Sequence, residues 1–408
     1  VFAAVFSRRM DKEFAAFPCD PAAPLCSKSC AAAWCLVKQT HSFSRLQDHT
    51  MAAPVLWGSE FSVNTKNTAG AQVESSVIAF ADGSFLVVWA DNNVGGDIVG
   101  QFFSADGTRK GEAFTATGSS AGAQGLPQAA LLNNGRYVVA WSSRGSDPTD
   151  AGVWARIFDK QGQGGSDLYV GDPGVLGMQP LSVSALGDGF VVAYTYISSF
   201  FSSWKLHAYA FDANGNHIPD ADGIPGVVVN TTGSVGDRFE VVELGDGHYA
   251  VFFDKVDSAQ DTDGDIRCRV LSATGEEIVP EFRIPASDAG PQWTPSAARL
   301  NDGRIVVAWE HADKAGGDGS GSSIRGRIID PQNWQSGQEF QVNIATTGDQ
   351  GRPQLTALAD GGFAVTYRDV PDPIGGGNSY IRIATFNADV TARGEVRLTA
   401  GAMRMKRP

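Results

Sequence analysis

An Asp-Gly or Asn-Gly pair, followed by a β-branched run and an aromatic residue, occurs six times in this chain. The first copy is Asp82-Gly83-Ser84-Phe85-Leu86-Val87-Val88-Trp89. The others start at Asn134, Asp188, Asp246, Asp302 and Asp360 and reach their aromatics at Trp141, Tyr194, Phe253, Trp309 and Tyr367. The turn glycines stand 52, 54, 58, 56 and 58 residues apart. A recurring unit of this size means a repeat architecture. In such a chain each unit covers its apolar surface mainly against its neighbours.

Aligned on the turn glycine, every unit reads as four strands, A to D. Strand A precedes the turn (Val73–Ala79, Pro127–Leu132, Gln354–Leu358), and strand B is the Val-rich run that ends in the aromatic. Strand C follows (Ile98–Ser104, Val153–Asp159, Ile324–Asp330), then a short strand D (Glu112–Thr117, Gly226–Asn230, Gln338–Asn343). The Asp-Gly and Asn-Gly pairs predict tight A–B hairpins of type I′, whose central residues both need positive φ. Four antiparallel strands per 50–60 residues predict a propeller blade. The fold class expected is therefore all-β, a β-propeller of about six blades. Strand B mixes alternation with unbroken apolar stretches, which suits a strand covered on both faces, and its aromatic is expected to pack between blades.

Glu60-Phe61-Ser62-Val63-Asn64 matches the strand D sequence Glu339-Phe340-Gln341-Val342-Asn343, although it stands ahead of the first unit. Two readings are open. This strand could complete the last blade and displace Glu395–Ala400, or the array could be a piece of a longer one. Residues 1–50 share nothing with the repeats and hold four of the five cysteines, spaced C-x6-C-x3-C-x4-C. That spacing lacks the close C-x2-4-C pairs of zinc sites. We expect residues 1–50 to be a disordered leader or an upstream extension ahead of a start at Met51, residues 51–400 the propeller, and residues 401–408 a tail.

The net charge is −13, and residues 1–50 carry six Lys/Arg against four Asp/Glu, which leaves −15 for the rest. An acidic body repels phosphate backbones and argues against nucleic acid as a partner. No apolar run reaches the ~18 residues of a membrane-spanning helix.

The units share a pattern: G-x-Q-x-x-P, then D-G with a Val-rich run and an aromatic, then G-x-E-F-x-V-N. It is clearest from Gly348-Asp349-Gln350-Gly351-Arg352-Pro353 through Asp360-Gly361-Gly362-Phe363. This pattern resembles repeats in large secreted bacterial proteins of the RTX-type calcium-binding and adhesin-like kind. The resemblance covers nearly all of residues 59–400 and implies secretion, a place outside the cell or on its surface, and a role in adhesion. The Gly-Gly-x-Gly-x-Asp array that names the RTX class is absent, and the basic tail does not look like that family's export signal.

In a propeller the B–C and D–A loops share one rim, and here the B–C loops differ most between units. Loops on a rigid scaffold are where binding concentrates. The fourth B–C loop holds Asp261, Asp263 and Asp265 around Gly264, alternate carboxylates of the kind that converge on Ca²⁺. Asp254 and Asp257 could add oxygens, while Ser272 stands where a full EF-hand pattern needs Glu. Asp313 and Asp318 form a weaker second candidate. The third B–C loop offers Tyr196, Phe200, Phe201 and Trp204 between serines, an aromatic surface for a carbohydrate or protein ligand. Each candidate has a bland alternative, a solvated acidic loop or aromatics that cover the next blade.

Enzyme signatures are poor. Gly118-Ser119-Ser120-Ala121-Gly122 matches G-x-S-x-G, but no helix follows to make a nucleophile elbow. The histidines His207, His217, His248 and His311 are scattered, and no Walker loop is present. Asn230-Thr231-Thr232 fits a glycosylation sequon. No catalytic residue is assigned. The function expected is a non-catalytic extracellular binding or adhesion module, with a carbohydrate-acting propeller enzyme and a structural spacer as the alternatives.

Overall fold

The structure is a computed structural model that describes residues 2–3, 61–64, 71–91, 96–118, 122–144, 151–171, 180–197, 203–256, 264–286, 290–312, 321–371 and 379–398. It bears out the expected fold class: six antiparallel blades form a β-propeller, each in the order A-B-C-D. Blade 1 comprises Gln72–Ala79, Phe85–Asp91, Asp97–Phe103 and Arg109–Thr115. Blade 2 comprises Ala123–Leu131, Tyr137–Arg144, Gly152–Phe158 and Leu168–Gly171; blade 3, Leu181–Leu186, Gly189–Tyr196, Lys205–Phe211 and Val227–Val228. Blade 4 comprises Ser234–Glu243, His248–Val256, Asp265–Ser272 and Glu277–Arg283. In blade 5, Gln292–Arg299, Ile305–His311 and Ser323–Asp330 are followed by a split strand D, Gln335–Ser336 and Phe340–Gln341. Blade 6 comprises Asp349–Ala357, Phe363–Val370, Tyr380–Phe386 and Ala392–Leu398. Among the described residues no helix is long and apolar enough to cross a membrane.

The A–B turns are tight, but they are not type I′. In blade 1 the N–H of Gly83 bonds the carbonyl of Phe80, and Gly83 alone takes a positive φ of 81°. Asp82 stays in the ordinary region, and its Oδ1 accepts the Ser84 N–H at 2.9 Å. This is a type I turn closed by a left-handed glycine, the commonest three-residue hairpin loop, with the Asx carboxylate holding the exit. Asn134, Asp246, Asp302 and Asp360 hold their turns in the same way. Blade 3 differs: Leu186 pairs with Gly189, so its loop is Gly187-Asp188 and the glycine of the Asp-Gly pair falls inside strand B.

Alternation along strand B sends side chains to both neighbours. One core joins blades 1 and 2 through Leu86, Val88 and Ala90 on one side and Val139 and Trp141 on the other. Equivalent cores join blades 2–3, 3–4, 4–5 and 5–6. The strand B aromatics are buried in these interfaces, Trp309 completely. Cys268 lies in the blade 4–5 core, where burial pushes its thiol well up.

The end of strand D closes each interface. Ala116, Val170, Val229, Ile284 and Val342 each enter the core shared with the next blade. Val63 does the same for blade 1, against Val87, Trp89 and Phe103. Asn64 then donates to Gln72 at 2.8 Å, just as Asn343 donates to Gln350 at 3.1 Å. Residues 61–64 thus pack against blade 1 as the strand D end of each blade packs against the blade that follows it. They do not complete blade 6, whose fourth strand is its own Ala392–Leu398.

The repeated Glu of G-x-E-F ties the blades together from outside. Glu281 accepts the Thr231 N–H at 3.1 Å, Glu339 that of Ala286 at 3.2 Å and Glu395 that of Ile344 at 3.0 Å. Asp167 plays this part for Gly118 in blade 2 at 3.0 Å. Each bond runs from strand D of one blade to the chain leaving strand D of the blade before. The residue that defines the motif is therefore a structural staple.

Candidate functional site

Strand A is interrupted where it leaves the B–C rim. Its register against strand B shifts between Val73 and Ser76, Gly125 and Gln128, Val235 and Phe239, Trp293 and Ser296, and Gly351 and Gln354. In blades 2, 5 and 6 a proline stands in the bulge, where it has no ladder hydrogen to give. The residue before that proline has positive φ: Leu126 55°, Thr294 51° and Arg352 57°. Glu74 does the same in blade 1 at 59°. Since four blades share the distortion, it belongs to the architecture, and its effect is to turn backbone N–H groups toward the rim.

Those N–H groups are met by carboxylates of the preceding blade. Leu126 donates to Glu74 Oε2 at 2.7 Å, and Arg352 donates to Glu310 Oε2 at 3.2 Å. Glu310 lies one residue past the strand B aromatic of blade 5. Its carboxyl rests so close over Gly351 that a Cβ there would come within 2.3 Å of Oε2. Asp254 takes the same strand position in blade 4 and lies likewise over Gly236. Glycine in strand A is what lets each carboxyl lie flat on the backbone.

Around Glu310 opens a cavity of ≈ 280 Å³ between blades 5 and 6, lined among others by Trp293, Ser322, Asp349, Gly351 and Arg368. Asp349 Oδ1 accepts the Ser322 N–H at 3.2 Å, and Ser322 Oγ donates to the Gln350 carbonyl at 2.9 Å. Burial pushes the Glu310 carboxyl above its ordinary value. The Arg352 N–H, the Ser322 hydroxyl and the charges of Arg368 and Arg352 pull the other way and are outweighed. A carboxyl whose ionisation is disfavoured by burial, lining a cavity beside Arg368, has the environment of a proton-transfer group.

The residues singled out from the sequence fall elsewhere. Asp265 begins strand C of blade 4, and its Oδ2 pairs with Arg267 at 2.8 Å. Asp261 and Asp263 lie outside the described residues, as do Asp257, Asp313 and Asp318. Among the described residues no three His, Cys, Asp or Glu groups converge as a metal site. Tyr196 packs on the blade 2–3 core, 5.0 Å from the His207 ring, whereas Trp204 packs on the blade 3–4 core. The two are on opposite faces of blade 3, and Phe200 and Phe201 lie outside the described residues. The sequon residue Asn230 is 1% exposed. Its amide accepts the Leu206 N–H and donates to the carbonyls of Thr232 and Gly233, so it is a strand latch.

Sequence reasoning passed over Glu310, Arg352, Arg368 and Trp293. The signal was a column of the repeat alignment, the position just past the aromatic. It reads Ala90, Ser142 and Thr195 in blades 1–3, then Asp254, Glu310 and Arg368 in blades 4–6. Three charges in a column that is otherwise small mark one side of the rim.

No family model matches the chain, and no curated protein matches it. Among solved structures, a Dyadobacter fermentans protein of unknown function is similar over 77% of this chain and 93% of its own, with 15% identity and a TM-score of 0.51. An ulvan lyase, from a new family of polysaccharide lyases, is similar over 78% of this chain and 81% of its own, with 9% identity and a TM-score of 0.50. At these identities the likeness is one of fold. It corrects the expectation of a non-catalytic adhesion module all the same. The solved propellers it is similar to include a polysaccharide lyase, and none of those reported is an adhesin.

Proposed function

We propose that this propeller is a carbohydrate-cleaving enzyme, with the cavity between blades 5 and 6 as its active centre. The observation that carries the reading is Glu310, whose carboxyl is pushed above its ordinary value by burial in a rim cavity lined by Trp293, Asp349 and Arg368. Breaking a glycosidic bond requires a proton for the departing oxygen, and an acid raised toward neutral pH supplies it. Trp293 offers the flat apolar surface on which a sugar ring rests. The Arg352 N–H holds one oxygen of the Glu310 carboxyl, which leaves the other for the substrate. The ulvan lyase likeness supports a carbohydrate as the ligand of such a scaffold.

We place the protein outside the cell, a setting supported by the resemblance of its repeats to those of large secreted bacterial proteins. Ca²⁺ held by Asp261, Asp263 and Asp265 belongs to the same proposal, as a stabiliser of the fourth B–C loop.

The test is a panel of polysaccharides assayed for new reducing ends and for the ultraviolet-absorbing double bond that only elimination leaves. Cleavage of one polymer, reduced about 10²-fold or more in Glu310→Gln with the fold intact by circular dichroism, is the expected result. Full activity in Glu310→Gln, or no cleavage of any polymer by the native chain, would overturn the reading.

A further inference from the structure

The arginines of this propeller are mostly engaged. Arg382 pairs with Asp369 at 2.5 Å and Glu395 at 3.1 Å, Arg393 with Asp360 at 2.5 Å, and Arg304 with Asp302 at 2.7 Å. Arg156 and Arg269 pair with Asp167 and Glu277 at 2.7 Å, and Arg327 donates to the Gly337 and Ile284 carbonyls. Arg368 and Arg352, like Arg144 and Arg299, form no such bond, and of these Arg368 lines the cavity. Arg368 and Arg352 are exposed, and among the described residues neither guanidinium has a hydrogen bond or ion pair within bonding distance. Glu310 and Asp349 line the cavity with Arg368, and burial disfavours the charge on Glu310.

The mouth of the cavity therefore presents two guanidiniums to solvent on a body whose net charge is −13. Such a body repels polyanions at long range. Two arginines left unpaired in it make an acceptor for one anionic group, and the planar guanidinium fork matches a carboxylate or a sulfate in two parallel bonds. We propose that the sugar bound at this cavity is anionic, with its carboxylate or sulfate ester taken by Arg368 and supported by Arg352. The inference rests on the carbohydrate-acting reading for its sugar, while the anion site itself rests on the arginines. Arg368 lines the cavity and so makes the direct contact, whereas Arg352 is fixed by its backbone bond to Glu310 and adds its charge from the bulge. Arg368 thereby sets which sugar can enter and where it sits relative to Glu310.

The experiment measures binding and cleavage separately on the full chain. Binding is read by retardation in native gels containing dextran, dextran sulfate or polygalacturonate, the first two sharing a backbone and differing in charge. Polygalacturonate or dextran sulfate should retard the chain and dextran should not; which of the two acts tells carboxylate from sulfate. Arg368→Gln should weaken that retardation at least tenfold with an unchanged melting temperature, and Arg368→Lys should restore part of it. Arg144→Gln, an exposed arginine ending strand B of blade 2, should leave it unchanged. Equal retardation by dextran, or retardation insensitive to Arg368→Gln, overturns the inference. Cleavage separates the two claims: anion binding through Arg368 without cleavage of any polymer would sustain this site and sink the enzymatic reading. Cleavage of neutral polymers alone would do the reverse.

Discussion

Blades 1–3 and blades 4–6 share one backbone and differ in what they bury. At the strand C position facing the strand B aromatic, the first half has Val99, Trp154 and His207, and the second has Arg267, Arg325 and Arg382. In the first half rings pack together: Trp154 meets Tyr169 edge-on at 5.1 Å, and Tyr194 stacks on Tyr209 at 5.6 Å. Around the matching position of the second half charges pair. Lys255 meets Glu281 at 2.5 Å, and Arg382 bridges Asp369 and Glu395. The same contrast runs along the rim, from Ala90, Ser142 and Thr195 to Asp254, Glu310 and Arg368. The repeated columns of the alignment therefore describe the scaffold, and the columns that break between the halves locate the site.

The largest effect expected on this contrast comes from Arg382→Met. It strands Asp369, 1% exposed, and Glu395, 6% exposed, and removing one partner from a buried pair costs about 3–5 kcal/mol. Denaturant melts should show that loss, and a triple change that also makes Asp369→Asn and Glu395→Gln should recover much of it. An equal loss from Val99→Met, at the matching position of blade 1, would erase the distinction between the halves.

Gly351→Ala should cost about 1–3 kcal/mol, because its Cβ must displace the Glu310 carboxyl. Activity should fall with it. Gly361→Ala, where nothing lies within 4 Å of the added Cβ, should lose stability through its positive φ of 88° and keep its activity. A parallel loss of activity in both would detach Glu310 placement from function.

Glu310→Gln should raise the melting temperature at pH 7. The folded protein lifts this carboxyl above its ordinary value, so its favourable term is complete below that value and disappears as pH rises through the lifted one. Near pH 4 the variant and the native chain should melt together. A variant less stable at pH 7 would mean that Glu310 is held there as a structural anion. The smallest shift should come from 5–10 mM Ca²⁺ against chelator, a rise of a few degrees that is lost when Asp261, Asp263 and Asp265 become Asn.

Much of the scaffold was legible in the sequence. The six Asp-Gly or Asn-Gly turns, the Val-rich strand and its aromatic gave blade number and strand order, because these positions recur at the A–B hairpin of every blade, even in blade 3 where the loop is shifted to Gly187-Asp188. The turn type was misjudged because the Asx side chain of Asp82 bonds the turn exit, which lets one left-handed glycine suffice. The strand A bulges were invisible, since Gln350-Gly351-Arg352-Pro353 reads as the start of a strand and its distortion shows only in the register with strand B. Attention went to the acidic and aromatic loops. Glu310 sits instead at the end of a core strand, where its ionisation is set by burial that only the packing of blade 6 creates. The break in its alignment column was the one trace of it.

The most direct test of this account compares Glu310→Gln with Asp254→Asn, the carboxyl at the same strand position one blade away. Both are assayed on the polymer that the native chain cleaves. Loss of about 10²-fold or more in Glu310→Gln, with near-native turnover in Asp254→Asn, is the result the account predicts. Native turnover in Glu310→Gln, or an equal loss in both variants, would contradict it.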